Sequence, residues 1–170
     1  MIRIREEQPQ DKDAVHKVHV CAFGGEVEAD LVDKLRQNCG DLLSIVAMDQ
    51  SKVVGHILFS PAVIESRERT IQGMSLAPVS VLPEYQLQGI GSELIRTGTA
   101  MLKDRQCPFI IVLGHPGYYP RFGFEPASRH AIHSEWRISD ETFMILVLNK
   151  SGMQGISGVA KYRPEFSETA

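Results

Sequence analysis

Residues 79–92 read Val-Ser-Val-Leu-Pro-Glu-Tyr-Gln-Leu-Gln-Gly-Ile-Gly-Ser, and this stretch constrains the chain more than any other. A β-branched run meets a proline. A polar turn follows, and two glycines one residue apart then open an amphipathic pattern from Ile90 to Arg105. The pattern predicts a strand, a loop and the N-terminus of a long helix. The first turn of a helix carries unpaired N–H groups and the positive end of the dipole, so such a loop suits a phosphate or diphosphate. Gly89 and Gly91 lack Cβ atoms, which lets the ligand lie against the main chain. Two common phosphate loops are excluded. The dinucleotide fingerprint would need a third glycine where Leu94 stands, and no Gly-Lys-Ser/Thr follows to make a Walker loop.

What fits is Gln86-x-x-Gly89-x-Gly91, preceded by Val81-x-Pro83. This resembles the acyl-CoA pyrophosphate loop of the GNAT superfamily of N-acetyltransferases, usually written Gln/Arg-x-x-Gly-x-Gly/Ala. A second motif supports the resemblance. In Tyr118-Tyr119-Pro120-Arg121-Phe122-Gly123-Phe124, Tyr119 lies four residues before Gly123, as in the Tyr-x-x-x-Gly-Phe that family members carry after the fifth strand. One helix (Ile90 to Arg105) and one apolar strand (Phe109 to Leu113) separate the motifs, in the family's order. The four aromatics also read as a core cluster around a turn, and Phe122 and Phe124 suit that role in any case.

The 170 residues are 43% hydrophobic and 23% charged, which suits a single soluble domain over 1–170. The net charge of −3 points away from nucleic acid and from anionic membranes. No apolar run reaches membrane-spanning length, and the chain does not open on a basic-then-apolar signal. Cys21, Cys39 and Cys107 are odd in number and widely spaced, so free thiols and a cytoplasmic location are expected, with neither a disulfide framework nor a zinc site.

Ile2 to Arg5 alternates as a half-buried strand. A helix begins near Pro9 to Asp13, shows Val15, Val18 and Ala22 on one face and stops at Gly24-Gly25. Val27, Leu31 and Leu35 predict a second helix, ended by Asn38 to Gly40. Leu43 to Met48 and Val53 to Ile64 read as an antiparallel hairpin around residues 49–51. Gly73 to Val81 is the next strand, and Pro78 within it argues for a bulge or a locally unpaired edge. The long helix buries Ile90, Leu94, Gly98 and Met101. The strand Phe109 to Leu113, the tyrosine turn with a short helix and a strand at Phe143 to Leu148 follow. This is the GNAT order over about residues 2 to 150. It implies an α/β (α+β) fold: a mixed, mostly antiparallel twisted sheet of about six or seven strands, flanked by about four helices, with the fourth and fifth strands splayed. Residues 151–170 form a C-terminal extension that adds at most a strand at Val159 to Tyr162, and its role is open.

The resemblance also implies chemistry. Acetyl-CoA would be the co-substrate. Val79, Ser80 and Val81 would pair with its pantetheine arm through main-chain groups, and one N–H there would stabilise the oxyanion of the tetrahedral intermediate. Gln86, Leu87, Gln88, Gly89, Ile90, Gly91 and Ser92 would hold the diphosphate, through backbone N–H groups and the Ser92 hydroxyl. Gln86 stands where many relatives have arginine. Tyr119 would be the general acid for the leaving thiolate, with Tyr118 as the weaker competitor. Many relatives place a glutamate base on or near the fourth strand, but Gly73 to Val81 contains no acid. Glu26 and Glu28, read otherwise as ordinary first-turn helix acids, and His115 are alternatives, and the base stays unassigned. His16 and His19 share a helix face without a third ligand, so no metal is expected. The function implied is direct acetyl transfer to a primary amine in a ternary complex, the acceptor being a small molecule, a peptide or a protein. The rival is a non-catalytic acyl-CoA-binding or sensor module on the same fold. Dimers are common in the family, and this sequence does not decide oligomeric state.

Overall fold

The computed structural model describes residues 1–169, and the described residues form three α-helices and nine strands. Strand neighbours run β1 (Ile2–Glu6), β2 (Leu43–Asp49), β3 (Lys52–Glu65), β4 (Thr70–Val81), β5 (Phe109–Leu113), β8 (Phe143–Val147), β6 (Glu125–Pro126), and β9 (Gly158–Lys161) pairs with β3 and with β7 (Ile132–Ser134). The chain divides into two compact units. One holds residues 1–60, 77–98 and 164–169; the other holds 61–76 and 99–163.

In the first unit, β1 (Ile2–Glu6) and β2 (Leu43–Asp49) are antiparallel, and β2 continues antiparallel to β3 (Lys52–Glu65). The tight connection after Asp49 places Gln50 at φ 55°, in the left-handed region. α1 (Lys12–Phe23) buries Val15, Val18 and His19. It ends where Gly24 takes φ 74° and donates its N–H to the Val20 carbonyl, a glycine C-cap of the usual kind. α2 (Val27–Asn38) buries Ala29, Leu31, Val32 and Leu35. The C-terminal 3-10 turn (Pro164–Thr169) belongs to this unit. Phe166 packs on Leu31, Val32, Leu35 and Leu58, Lys34 pairs with Glu168, and Asn38 donates to Glu165. α3 (Ile90–Asp104) sets Gly98 against the Phe59 ring, so closely that a Cβ there would lie 2.2 Å from Phe59 Cε2.

In the second unit, residues 70–76 of β4 (Thr70–Val81) run parallel to β5 (Phe109–Leu113) at Met74↔Ile110 and Ser75↔Ile111. β5 is antiparallel to β8 (Phe143–Val147), which pairs in turn with β6 (Glu125–Pro126). β9 (Gly158–Lys161) is antiparallel to the end of β3 and parallel to β7 (Ile132–Ser134). Trp136 stacks on Tyr162 with ring centroids 4.8 Å apart.

The mixed, mostly antiparallel sheet agrees with expectation. Three details differ. The short helix expected after the fifth strand is a 3-10 turn (Tyr119–Phe122). Pro116, Gly117, Pro120 and Gly123 deny that segment a continuous i→i+4 ladder, so the described residues hold three α-helices where about four were expected. β6 and β7, only two and three residues long, lift the strand count above the expected six or seven. The C-terminal strand starts at Gly158, one residue before the expected Val159.

Candidate active site

The segment after β4 is a pre-shaped loop. Leu82 donates its N–H to the Val54 carbonyl, and the Tyr85 hydroxyl donates to Asp49 at 2.7 Å while Lys52 lies over the Tyr85 ring. The Gln86 side-chain amide donates to the Val81 carbonyl at 3.0 Å, and that of Gln88 to the Glu84 carbonyl at 3.3 Å. Gln86 therefore closes the loop rather than extending from it. Leu87 (φ 62°) and Gly89 (φ 85°) are both in the left-handed region. Leu87 is fully exposed, and nothing lies within 4 Å of where a Gly89 Cβ would stand. The Gly89 carbonyl accepts from the Glu93 N–H, so Gly89 caps α3. Ile90 is buried while Gln86, Leu87, Gln88 and Gly89 are exposed. A hydrophobic anchor thus starts α3 directly after an exposed loop, and the first-turn N–H groups of a helix lack intrahelical partners.

Residues 79–81 close β4, beyond its ladder to β5. Pro78, which lacks an N–H, precedes them, and the Ala77–Pro78 peptide is cis. Val79 and Val81 are half-buried, whereas Ser80 is buried. Its Oγ lies 2.7 Å from His19 Nδ1 on α1. His19 Nε2 lies 2.7 Å from His56 Nδ1 on β3, and His56 Nε2 lies 2.7 Å from Ser44 Oγ on β2. Ser44 donates to Glu7 Oε2 at 3.0 Å, and Glu7 is ion-paired with Arg36 of α2. Both imidazoles have no solvent exposure. Burial, then the Arg36 and His16 charges, lowers the His19 pKa to about 4, with Asp33 opposing. Burial, then the His19 and Arg36 charges, pushes His56 well below 6.5. Sequence reasoning missed this file of side chains. The available signal was a histidine four residues after Val15 on the apolar face of α1, and another inside the buried run of β3.

Tyr119 belongs to the second unit, at the start of its 3-10 turn. Its ring packs over Gly114, where a Cβ would come within 2.2 Å of Tyr119 Cε2, and edge-on to Phe124 at 5.7 Å. Burial, then the neighbouring Tyr118, raises its pKa to about 12. Tyr118 is half-buried and carries the Arg121 guanidinium over its ring at 4.6 Å. Gly123 ends the turn at φ 96°, a conformation that favours glycine at this motif position.

The other candidates disperse. Glu26 precedes α2 and accepts the Asp30 N–H through its carbonyl, and Glu28 sits in the first turn, as helix acids do. His115 is exposed and accepts the Gly117 N–H. His16 pairs with Asp33 at 3.0 Å and, with Asp30, makes a partly exposed cluster that excludes His19. The three cysteines are free thiols. No helix among the described residues is long and apolar enough to cross a membrane.

Residues 3–127 match the family model described as an acetyltransferase (GNAT) domain. The chain is 42% identical over 120 residues to the uncharacterized N-acetyltransferase YjhQ of Escherichia coli K12, covering 69% of this chain and 66% of that protein. It is 30% identical over 165 residues to the uncharacterized N-acetyltransferase YhbS of the same strain, covering 96% and 98%. The crystal structure of Escherichia coli YhbS in complex with CoA superposes with a TM-score of 0.90, covering 98% of this chain and 92% of that one. A GNAT family acetyltransferase from Brucella melitensis in complex with acetyl-CoA has 34% identity and a TM-score of 0.80, with 98% of each chain covered. The chain is therefore an acetyltransferase of the GNAT family.

Proposed function

We propose that this enzyme transfers the acetyl group of acetyl-CoA directly to a primary amine while both substrates are bound. The observation that carries the reading is the loop from Gln86 to Ser92. It is tied down by side-chain hydrogen bonds, bends through two left-handed residues and opens a fifteen-residue helix toward solvent. Two relatives at 30% and 34% identity are known with CoA or acetyl-CoA bound. The amides of residues 87–92 and the helix dipole hold the diphosphate, with the Ser92 hydroxyl beside them. Gln86 contributes by fixing the loop through the Val81 carbonyl. Val79 to Val81 pair with the pantetheine arm, and one of their N–H groups polarises the thioester carbonyl. Such a donor contributes a few kcal/mol in the tetrahedral intermediate.

Tyr119 donates to the departing sulfur. A thiol ionises near 8.5, so a tyrosine near 12 gives up its proton to the thiolate only uphill, by roughly 5 kcal/mol. Its hydroxyl acts chiefly as a hydrogen-bond donor that stays protonated throughout the working pH range. Attack is direct, because no cysteine lies in either motif. The acceptor is a primary amine on a small molecule, a peptide or a protein.

Thermal unfolding with and without acetyl-CoA tests the donor site, with desulfo-CoA and ATP alongside. A ligand at about 100 times its Kd adds about 2.7 kcal/mol, which raises Tm by roughly 5–10 °C in a chain of this size. Release of the CoA thiol with a panel of primary amines then tests transfer. No shift at millimolar acetyl-CoA would remove the donor reading. A shift without turnover of any amine would leave a binding module.

A further inference from the structure

The file of side chains running from Ser80 to Glu7 has a single sense, fixed by its far end. The Glu7 carboxylate accepts only, so Ser44 donates to it. Ser44 Oγ then accepts from His56, which makes His56 the Nε2–H tautomer with a bare Nδ1. That Nδ1 accepts from His19 Nε2–H, and His19 Nδ1 accepts from the Ser80 hydroxyl. Every proton points away from residues 79–81 and toward Glu7, across three contacts of 2.7 Å and one of 3.0 Å. Ser80 Oγ, as the donor to His19, retains acceptor capacity of its own. The Glu7 carboxylate, ion-paired with Arg36, is the anionic end of the file.

We propose that Ser80, His19, His56, Ser44 and Glu7 form a proton relay that serves as the base of the acetyl transfer. The proposal rests on the acetyltransferase reading above and supplies the base that β4, which has no acid, does not. When the amine attacks the thioester carbon, a C–N bond forms and the nitrogen becomes positive. Its N–H bond breaks as Ser80 Oγ takes the proton. The Ser80 proton passes to His19 Nδ1, the His19 Nε2 proton to His56 Nδ1, the His56 Nε2 proton to Ser44, and the Ser44 proton to Glu7. The C–S bond then breaks with its electron pair on sulfur. The same hops in reverse return the proton from Glu7 through Ser80 to the thiolate and restore both tautomers. Amine and thioester become amide and thiol, with no proton left over. The charged groups bordering the file are His16 on α1 and Asp33 and Arg36 on α2. Both rings are held neutral by burial, so concerted hops pass the proton without storing it on either one.

The test uses the whole chain with acetyl-CoA and the panel ethylamine, benzylamine, glycinamide and lysine amide, following thiol release at saturating amine from pH 7 to 9. Glu7→Gln keeps the shape and an accepting oxygen but cannot hold the proton, and Ser44→Ala cuts the file one step earlier. Each should lower kcat at least about tenfold and leave acetyl-CoA KM within about twofold. In each, log kcat should rise with pH at a slope near one, because solvent base replaces the relay, while the wild type stays flat. Ser44→Thr, which restores the hydroxyl, should recover most of the loss. Variants that fold and keep the wild-type kcat and flat profile would overturn the relay and leave the acetyltransferase standing, as would a Ser44→Thr no better than Ser44→Ala. Acetyl-CoA binding by the wild type without turnover of any amine would overturn the acetyltransferase reading, and the relay with it.

Discussion

Tyr119 owes its position to a residue that has no side chain. Its ring occupies the space a Cβ on Gly114 would take, at 2.2 Å. Two substitutions separate what the hydroxyl does from how it is aimed. Tyr119→Phe keeps the packing against Phe124 and should cut kcat by roughly tenfold to a hundredfold. Acetyl-CoA affinity should stay within about twofold, read by titration. Gly114→Ala keeps the hydroxyl but forces the ring aside, and a comparable fall in kcat is expected. An unchanged kcat in Tyr119→Phe would remove the hydroxyl from the chemistry.

Within α3, the apolar stripe that sequence periodicity finds has a gap at Gly98, filled from outside by Phe59. Alanine there would gain about 1 kcal/mol of helix propensity, but overpacking a tight core contact costs typically 1–3 kcal/mol. The clash should prevail: Gly98→Ala should unfold at lower denaturant than the wild type, and Phe59→Leu in the same chain should restore part of the loss. A Gly98→Ala protein more stable than the wild type would contradict the tight fit. The stripe, the strands at Leu43, Val53 and Phe109 and both motifs were legible because each is a local pattern. The tyrosine turn was legible in place but not in type, since prolines and glycines that stop an α-helix still permit a 3-10 turn. β6 and β7 were not legible, because two or three residues carry no periodicity. The relay was not legible for a different reason. Its members come from α1, β2, β3, β4 and the residue after β1, and nothing local to His19 or His56 says that they face one another.

For the whole molecule, the two buried histidines set the acid limit of stability. Unfolded, each ionises near 6.5; folded, His19 does so near 4, and burial holds His56 well below 6.5. Below pH 6.5 the unfolded chain binds protons that the folded chain refuses. Stability is thus fully present above about 6.5 and is lost as pH falls toward 4, by roughly 3 kcal/mol for His19 alone. Asp11, whose carboxylate is held below its usual range first by the hydrogen bond from Arg5, adds a second loss below about pH 4. Denaturation curves between pH 8 and 3 should show both windows. His19→Gln should make the first shallower and leave the second, whereas an equal slope in the two proteins would refute this account. The same burial bears on inheritance. Replacing one member of the Ser80–His19–His56–Ser44–Glu7 file strands the polar atoms of its neighbours, at about 1–3 kcal/mol for each orphan. Replacing several together with apolar groups of similar shape is far milder. Positions 19, 44, 56 and 80 should therefore drift as a block among descendants of this chain, retained together or surrendered together, with single exchanges the rarest outcome.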